Sequence, residues 1–188
     1  MKNLELEEIF LFDGIDFSDK KRMVECFNIR RAKFDAGETV CDFEKNRDII
    51  GIIMSGNVSL IRNDISGNRV VLENLSENDV FGEMIAFADD AESGVYAVCE
   101  KKCEVAFLKY EQISKRCKNA CMCHTVAVEN MFRIVTGKAQ RLSERIEILS
   151  NRTIREKLLS VFSIYSQKTI SFPNSDINPS DLFLEKPV

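Results

Sequence analysis

The sequence predicts a mostly β N-terminal domain, an antiparallel double-stranded β-roll of the jelly-roll kind, followed by a long helix and the start of a further helical domain. Three observations carry this expectation. From Arg30 to Lys109, short β-prone runs alternate with turn signals at Ala36-Gly37-Glu38, Ser55-Gly56-Asn57, Ser66-Gly67-Asn68 and Ser76-Glu77-Asn78-Asp79. After Tyr110 the β signal stops, and from about Ala120 to Leu149 apolar residues step by three or four. Beyond that, Arg152, Arg155, Lys157 and Lys168 make a basic segment after an acidic roll. The expected divisions are 1–120, 121–150 and 151–188.

Taken in order, Leu4 to Phe27 has apolar residues at helical spacing (Leu4, Ile9, Leu11, Phe12, then Met23, Val24, Phe27), broken at Asp13-Gly14. Two short helices are expected, the second capped at Ser18-Asp19. Within the roll, Asp79-Val80-Phe81 ends on Gly82-Glu83. A glycine lets a ligand approach the main chain, and the carboxylate can accept from a hydroxyl pair. In the long helix the stripe Val128, Met131, Val135, Ala139, Leu142, Ile146 and Leu149 reads as a coiled-coil seam, and a parallel homodimer is the expectation. Gly137 in mid-helix points to close backbone approach or a flexible point. A capping break at Ser150-Asn151 introduces a helix from Thr153 to Gln167 with Ile154, Leu158, Val161 and Ile164/Tyr165 on one face. Thr169 to Val188 holds all three prolines and reads as irregular.

The 188 residues carry a net charge of −4 and are 45% hydrophobic, which excludes a disordered chain. No apolar run is long enough to span a membrane and Met1-Lys2-Asn3-Leu4-Glu5 lacks a signal-peptide core, so the expected location is cytoplasmic, with no membrane partner. Seven cysteines in that setting are expected as thiols. Cys99, Cys103, Cys117, Cys121, Cys123 and His124 cluster in sequence, and three roles stand open for them: structural thiols, redox-sensing thiols, or ligands of an iron–sulfur cluster or other thiophilic metal. Loose spacing without Cys-x-x-Cys favours the first. A single histidine is too few for a metal-dependent β-roll enzyme and supports no nucleophile motif, so no catalytic residue is expected.

Several segments together resemble the Crp/Fnr (catabolite activator / fumarate-nitrate regulator) family of transcription factors. They are Phe12-Asp13-Gly14-Ile15, Phe34-Asp35-Ala36-Gly37-Glu38-Thr39-Val40, Met54-Ser55-Gly56-Asn57-Val58, Gly67-Asn68-Arg69, Asp79-Val80-Phe81-Gly82-Glu83 and the helix-break-helix from Ile146 to Leu159. The resemblance implies a homodimer in which the roll senses a small-molecule effector and the long helix joins the subunits. It also implies a C-terminal helix-turn-helix that contacts DNA and works with RNA polymerase. It places the effector near Phe81, Gly82, Glu83, Ser93, Gly94, Val95 and Lys138, and phosphate contacts to DNA at Arg152, Arg155 and Lys157. The Arg-Ser pair that grips the phosphate in cyclic-AMP-binding members falls on Ser93-Gly94, and Lys138-Ala139 replaces small hydroxyl residues, so cyclic AMP is not the expected effector. Ser171-Phe172-Pro173 resembles the short strand before the reader. Only 15 residues follow Pro173, where a helix-turn-helix needs about 20, so the reader is expected to be truncated or partly absent. The alternative is a dimeric sensory module that binds no DNA.

Overall fold

Two 15-residue strands organise the sheet, β3 (Ile49–Asn63) and β6 (Val95–Lys109), and both are rich in the β-branched and aromatic residues that fit a pleated surface. The computed structural model describes residues 9–63, 66–86, 94–114 and 122–171. The shorter strands are β1 (Arg30–Phe34), β2 (Thr39–Asp42), β4 (Arg69–Leu75) and β5 (Val80–Phe81). The hydrogen-bonded order is β1-β6-β3-β4, with β2 also on β6 and β5 also on β3. All pairings are antiparallel, including Arg30 opposite Phe107 and Ile52 opposite Ala106.

The apolar run Ile49 to Met54 alternates between two cores. Ile50, Ile52 and Met54 join Ala106 and Leu108 against Phe12, Met23, Phe27, Ile113, Ala127 and Met131. Ile53 and Val105 point the other way, among Phe43, Val58, Phe81, Val95, Ala97, Cys99 and Cys103. A strand buried on both faces has no polar side to show, so its sequence reads as continuous hydrophobicity. Gly51 gives up its side chain to the ring of Phe81, which fills the space a Cβ would occupy.

Four sequence expectations need correction. Ser55-Gly56-Asn57 is not a turn between strands but a bulge inside β3, with register shifts on either side of it. Gly56 has φ +86 and lies so close to Cys103 that a Cβ would stand 2.7 Å from its Cα. A glycine flanked by polar residues signals a bend, and a bulge bends a strand without ending it. The first of the two expected helices is, over its described residues, a 3-10 turn at Phe10–Phe12. Helix α1 (Phe17–Cys26) starts from Asp16, not Ser18-Asp19, because the extended Asp16 turns its carbonyl to accept from the Asp19 and Lys20 amides, both at 2.9 Å. The cap of the last helix likewise moves from Ser150-Asn151 to Thr153.

The remaining helices are α2 (Glu83–Ala86), α3 (Tyr110–Ser114), α4 (Met122–Ser150) and α5 (Ile154–Ser171). Thr153 Oγ1 accepts from the Glu156 amide at 3.2 Å while the Thr153 amide donates to the Glu156 carboxylate at 3.0 Å, a reciprocal capping box that opens α5. Ser171 is helical, not part of a strand, and Phe172-Pro173 lies outside the described residues. The chain divides into two compact units, Met1–Thr136 and Gly137–Val188.

In the first unit α4 is fastened by side chains that reach backbone oxygens. Asn130, buried, donates through Nδ2 to Leu11 O at 3.2 Å and Asp13 O at 2.8 Å. His124 Nε2 is 2.9 Å from Gln112 O, and its ring meets that of Phe27 edge to face at 4.8 Å. In the second unit Asn151 Nδ2 donates to Glu147 O at 3.2 Å and to Ser160 Oγ at 2.9 Å, bracing the bend between α4 and α5.

Candidate effector site

β5 pairs with β3 for two residues, Gly51 opposite Phe81 and Ile52 opposite Val80, and then the chain must turn sharply. Gly82 makes that turn at φ +84, where a Cβ would stand 2.6 Å from Ile49 O and 2.7 Å from the Phe43 ring. Only a residue without a side chain fits. The Gly82 carbonyl then accepts from the Ile85 and Ala86 amides at 3.2 and 2.8 Å, winding α2. Glu83, the first residue of α2, is thereby buried at 1% exposure and lines a pocket of about 430 Å3. The other walls are Met84, Ile113, Ser114, Val128, Met131, Phe132 and Val135.

Of the seven effector positions expected from the sequence six are described, and of these Glu83 alone lines this pocket. Gly82 is the turn beside it. Phe81 is fully buried, edge to face with Phe43 at 6.3 Å and Phe107 at 6.5 Å, and Val95 belongs to the same core. Gly94, at φ +81, donates its amide to Glu44 Oε1 at 2.9 Å. Lys138 is a buried residue of the second unit, and Ser93 lies outside the described residues. Four pocket residues, Met84, Ile113, Ser114 and Phe132, were not marked in sequence. Ile113 and Ser114 belong to α3, a single helical turn easily lost between a long strand and a long helix, while Met84 follows Glu83 in α2 and Phe132 follows Met131 in α4.

The expected seam divides. Met131 is in the core of the first unit, and Val128 and Val135 pack partly against it. Ala139 is exposed, as are Leu142, Ile146 and Leu149 at 44, 64 and 68%. A Cβ at Gly137 would meet Arg141 Nη1 at 3.7 Å, an ordinary contact, so no close backbone approach holds this glycine. Arg152 and Arg155 are exposed and Lys157 is half-buried.

Cys99 and Cys103 lie side by side in the second core cluster, and Cys99 Sγ donates to Lys101 O at 2.9 Å. Burial, reinforced by Cys99, pushes the Cys103 thiol up to about 12, and burial with Asp42 and Asp48 does the same to Cys41. Among the described residues no group of His, Cys, Asp and Glu is arranged to hold a metal ion, while Cys117 and Cys121 lie outside them. No described helix is long and apolar enough to cross a membrane.

Comparison with known proteins finds the same fold, an antiparallel β-sheet followed by helices. Residues 31–120 match the family described as the cyclic nucleotide-binding domain. No curated protein matches the chain. Among solved structures, a cyclic nucleotide-binding domain from Methylobacillus flagellatus kt is similar with a TM-score of 0.62 at 14% identity, over 79% of this chain and 84% of that one. The catabolite activator protein of Thermus thermophilus gives 0.59 at 19% identity, over 75% of this chain and 63% of that one. The sensor domain of the transcriptional regulator DNR from Pseudomonas aeruginosa gives 0.55 at 16% identity, over 79% and 92%. The chain thus spans less than two thirds of the Thermus protein. Residues 31–120 are thus similar to a cyclic nucleotide-binding domain, and the fold, an antiparallel β-sheet followed by helices, is shared with the catabolite activator protein and the DNR sensor domain.

Proposed function

We propose that this chain is the sensory part of a ligand-responsive transcriptional regulator of the Crp/Fnr type, with a small-molecule effector held beside Gly82-Glu83. The observation that carries the reading is the Gly82 turn, which buries the Glu83 carboxylate in the wall of a pocket that α4 completes through Val128, Met131 and Val135. Effector binding then bears directly on α4, and a ligand that prefers the DNA-competent arrangement shifts the population toward it by about tenfold for each 1.4 kcal/mol of preference. The exposed residues Leu142, Ile146 and Leu149 are assigned to the homodimer, and Arg152, Arg155 and Lys157 to DNA phosphates beside a helix-turn-helix that follows α5.

Cyclic AMP is not the effector in this reading. The Arg-Ser pair that grips its phosphate in cyclic-AMP-binding members falls on Ser93-Gly94 here, which brings no guanidinium, and the Gly94 amide already serves the Glu44 carboxylate. Calorimetric titration with cyclic AMP is expected to show no micromolar binding. The regulator reading is tested by selecting DNA from a random oligonucleotide pool with the product of the full reading frame. Enrichment of one palindromic sequence, with affinity falling steeply as salt rises, is the expected result. A pool that stays random speaks for a dimeric sensory module without DNA binding.

A further inference from the structure

The pocket beside Glu83 suits a chemistry unlike that of a phosphate ester. Its walls are mostly thioether, aliphatic and aromatic, from Met84, Ile113, Val128, Met131, Phe132 and Val135. Among the described residues that line it none is cationic, and the one ionisable group is the Glu83 carboxyl. An anion moved into such a wall loses water, gains no opposite charge from it and faces Glu83, which is unfavourable on every count. An apolar molecule gains in proportion to the surface it removes from water. Two of the lining residues, Met84 and Phe132, are exposed. About 430 Å3 lies within the range of small-molecule sites and, filled at interior density, takes roughly 15–20 non-hydrogen atoms.

We infer that this pocket binds an uncharged, largely apolar small molecule of that size, with a hydrogen-bond donor for Glu83, and that such a compound is the effector. A carboxylate offers about four acceptor positions, so one donor from the ligand can be met whatever else Glu83 holds. The ligand chemistry stands on the pocket alone, and only the word effector rests on the regulator reading above.

Two dyes make the test. Phenylnaphthylamine is neutral, of this size and has one N–H, and anilinonaphthalenesulfonate is the same skeleton with a sulfonate added. Titrated by fluorescence into the full chain, the neutral dye is expected to saturate at one per chain and to bind at least about tenfold more tightly than the sulfonate. Val128→Trp, which puts an indole into the cavity, is expected to weaken the neutral dye at least about tenfold. Val135→Phe is a milder filling with the same expected direction, and far-UV circular dichroism must match the parent for either variant to count. Equal affinity for the two dyes, or binding untouched in both folded variants, overturns the inference. Release of the neutral dye as rising protein concentration drives dimer formation in sedimentation runs also overturns it, because a second copy then occupies the pocket. Dye selectivity alongside a random DNA pool supports the pocket chemistry and counts against the regulator reading alone.

Discussion

At Gly82 a positive φ and the nearby Ile49 carbonyl leave no room for a side chain. Gly82→Ala combines a disfavoured backbone with overpacking, and the expected cost is on the order of 2–4 kcal/mol, read as a lower urea midpoint. An unchanged midpoint would show that the turn relaxes freely. The cysteines pose a different question at the same scale. Cys41 and Cys103, held up to about 12 by burial, carry almost no thiolate at neutral pH, and Cys99 is fully buried beside them. Exposed Cys26 is therefore expected to take up iodoacetamide in the folded protein while these three react only after unfolding, as followed by peptide mass mapping. Fast labelling of Cys103 in the native state would contradict this. The sequence shows the shared inward parity of Cys99 and Cys103 because alternation on a strand is local, but the distance from them to Cys117 or Cys121 is not a local property.

Helix α5 owes its start to two side chains. Thr153→Ala removes one half of the capping box and is expected to cost about 1 kcal/mol of stability in urea unfolding. The other half depends on pH. Donation from the Thr153 backbone and then its side chain holds the Glu156 carboxyl below its ordinary value. A group whose native pKa is depressed stabilises the fold above its unfolded pKa and loses that contribution as pH falls through the folded one. The stability gap between the parent and Glu156→Ala is thus expected to be open at neutral pH and to narrow through the acid carboxylate range, and a gap constant with pH would refute the assignment. The sequence shows this cap as Thr153-x-x-Glu156, three residues beyond the capping break at Ser150-Asn151. Both patterns offer side-chain acceptors, and only the backbone decides which residue leaves the helix.

For the molecule as a whole, apolar periodicity in α4 states which face is apolar but not what covers it. Val128 to Leu149 reads as a single seam, yet Met131 lies in the core of the first unit while Leu142, Ile146 and Leu149 stay exposed. Charge at Ile146 therefore separates the two uses of the helix. On the proposed homodimer reading, Ile146→Asp is expected to leave the melting temperature of the first unit nearly unchanged and to convert dimer to monomer in sedimentation equilibrium. A variant that remains a dimer would place the subunit contact elsewhere. The antiparallel sheet, its turns other than Ser55-Gly56-Asn57 and the Gly-Glu corner were legible, since each rests on neighbours in sequence. The pocket was not, because it is assembled from α2, α3 and α4, and its walls were distributed among a strand end, an unmarked helical turn and a seam.

The central position of β6 also sets a timetable for synthesis. β1, β2 and β3 all pair with it, and Arg30 waits for Phe107. At a ribosomal pace of about 5–20 residues per second, roughly 4–15 seconds pass between the two. During that interval β1 and β2 have no partner strand, and β3 has only β4 and β5. Nascent chains halted before Lys109 leaves the exit tunnel should be cut readily by protease, and those halted well after it should resist. Until β6 emerges, the edges of β1, β2 and β3 that it covers in the folded sheet stand open to other strands.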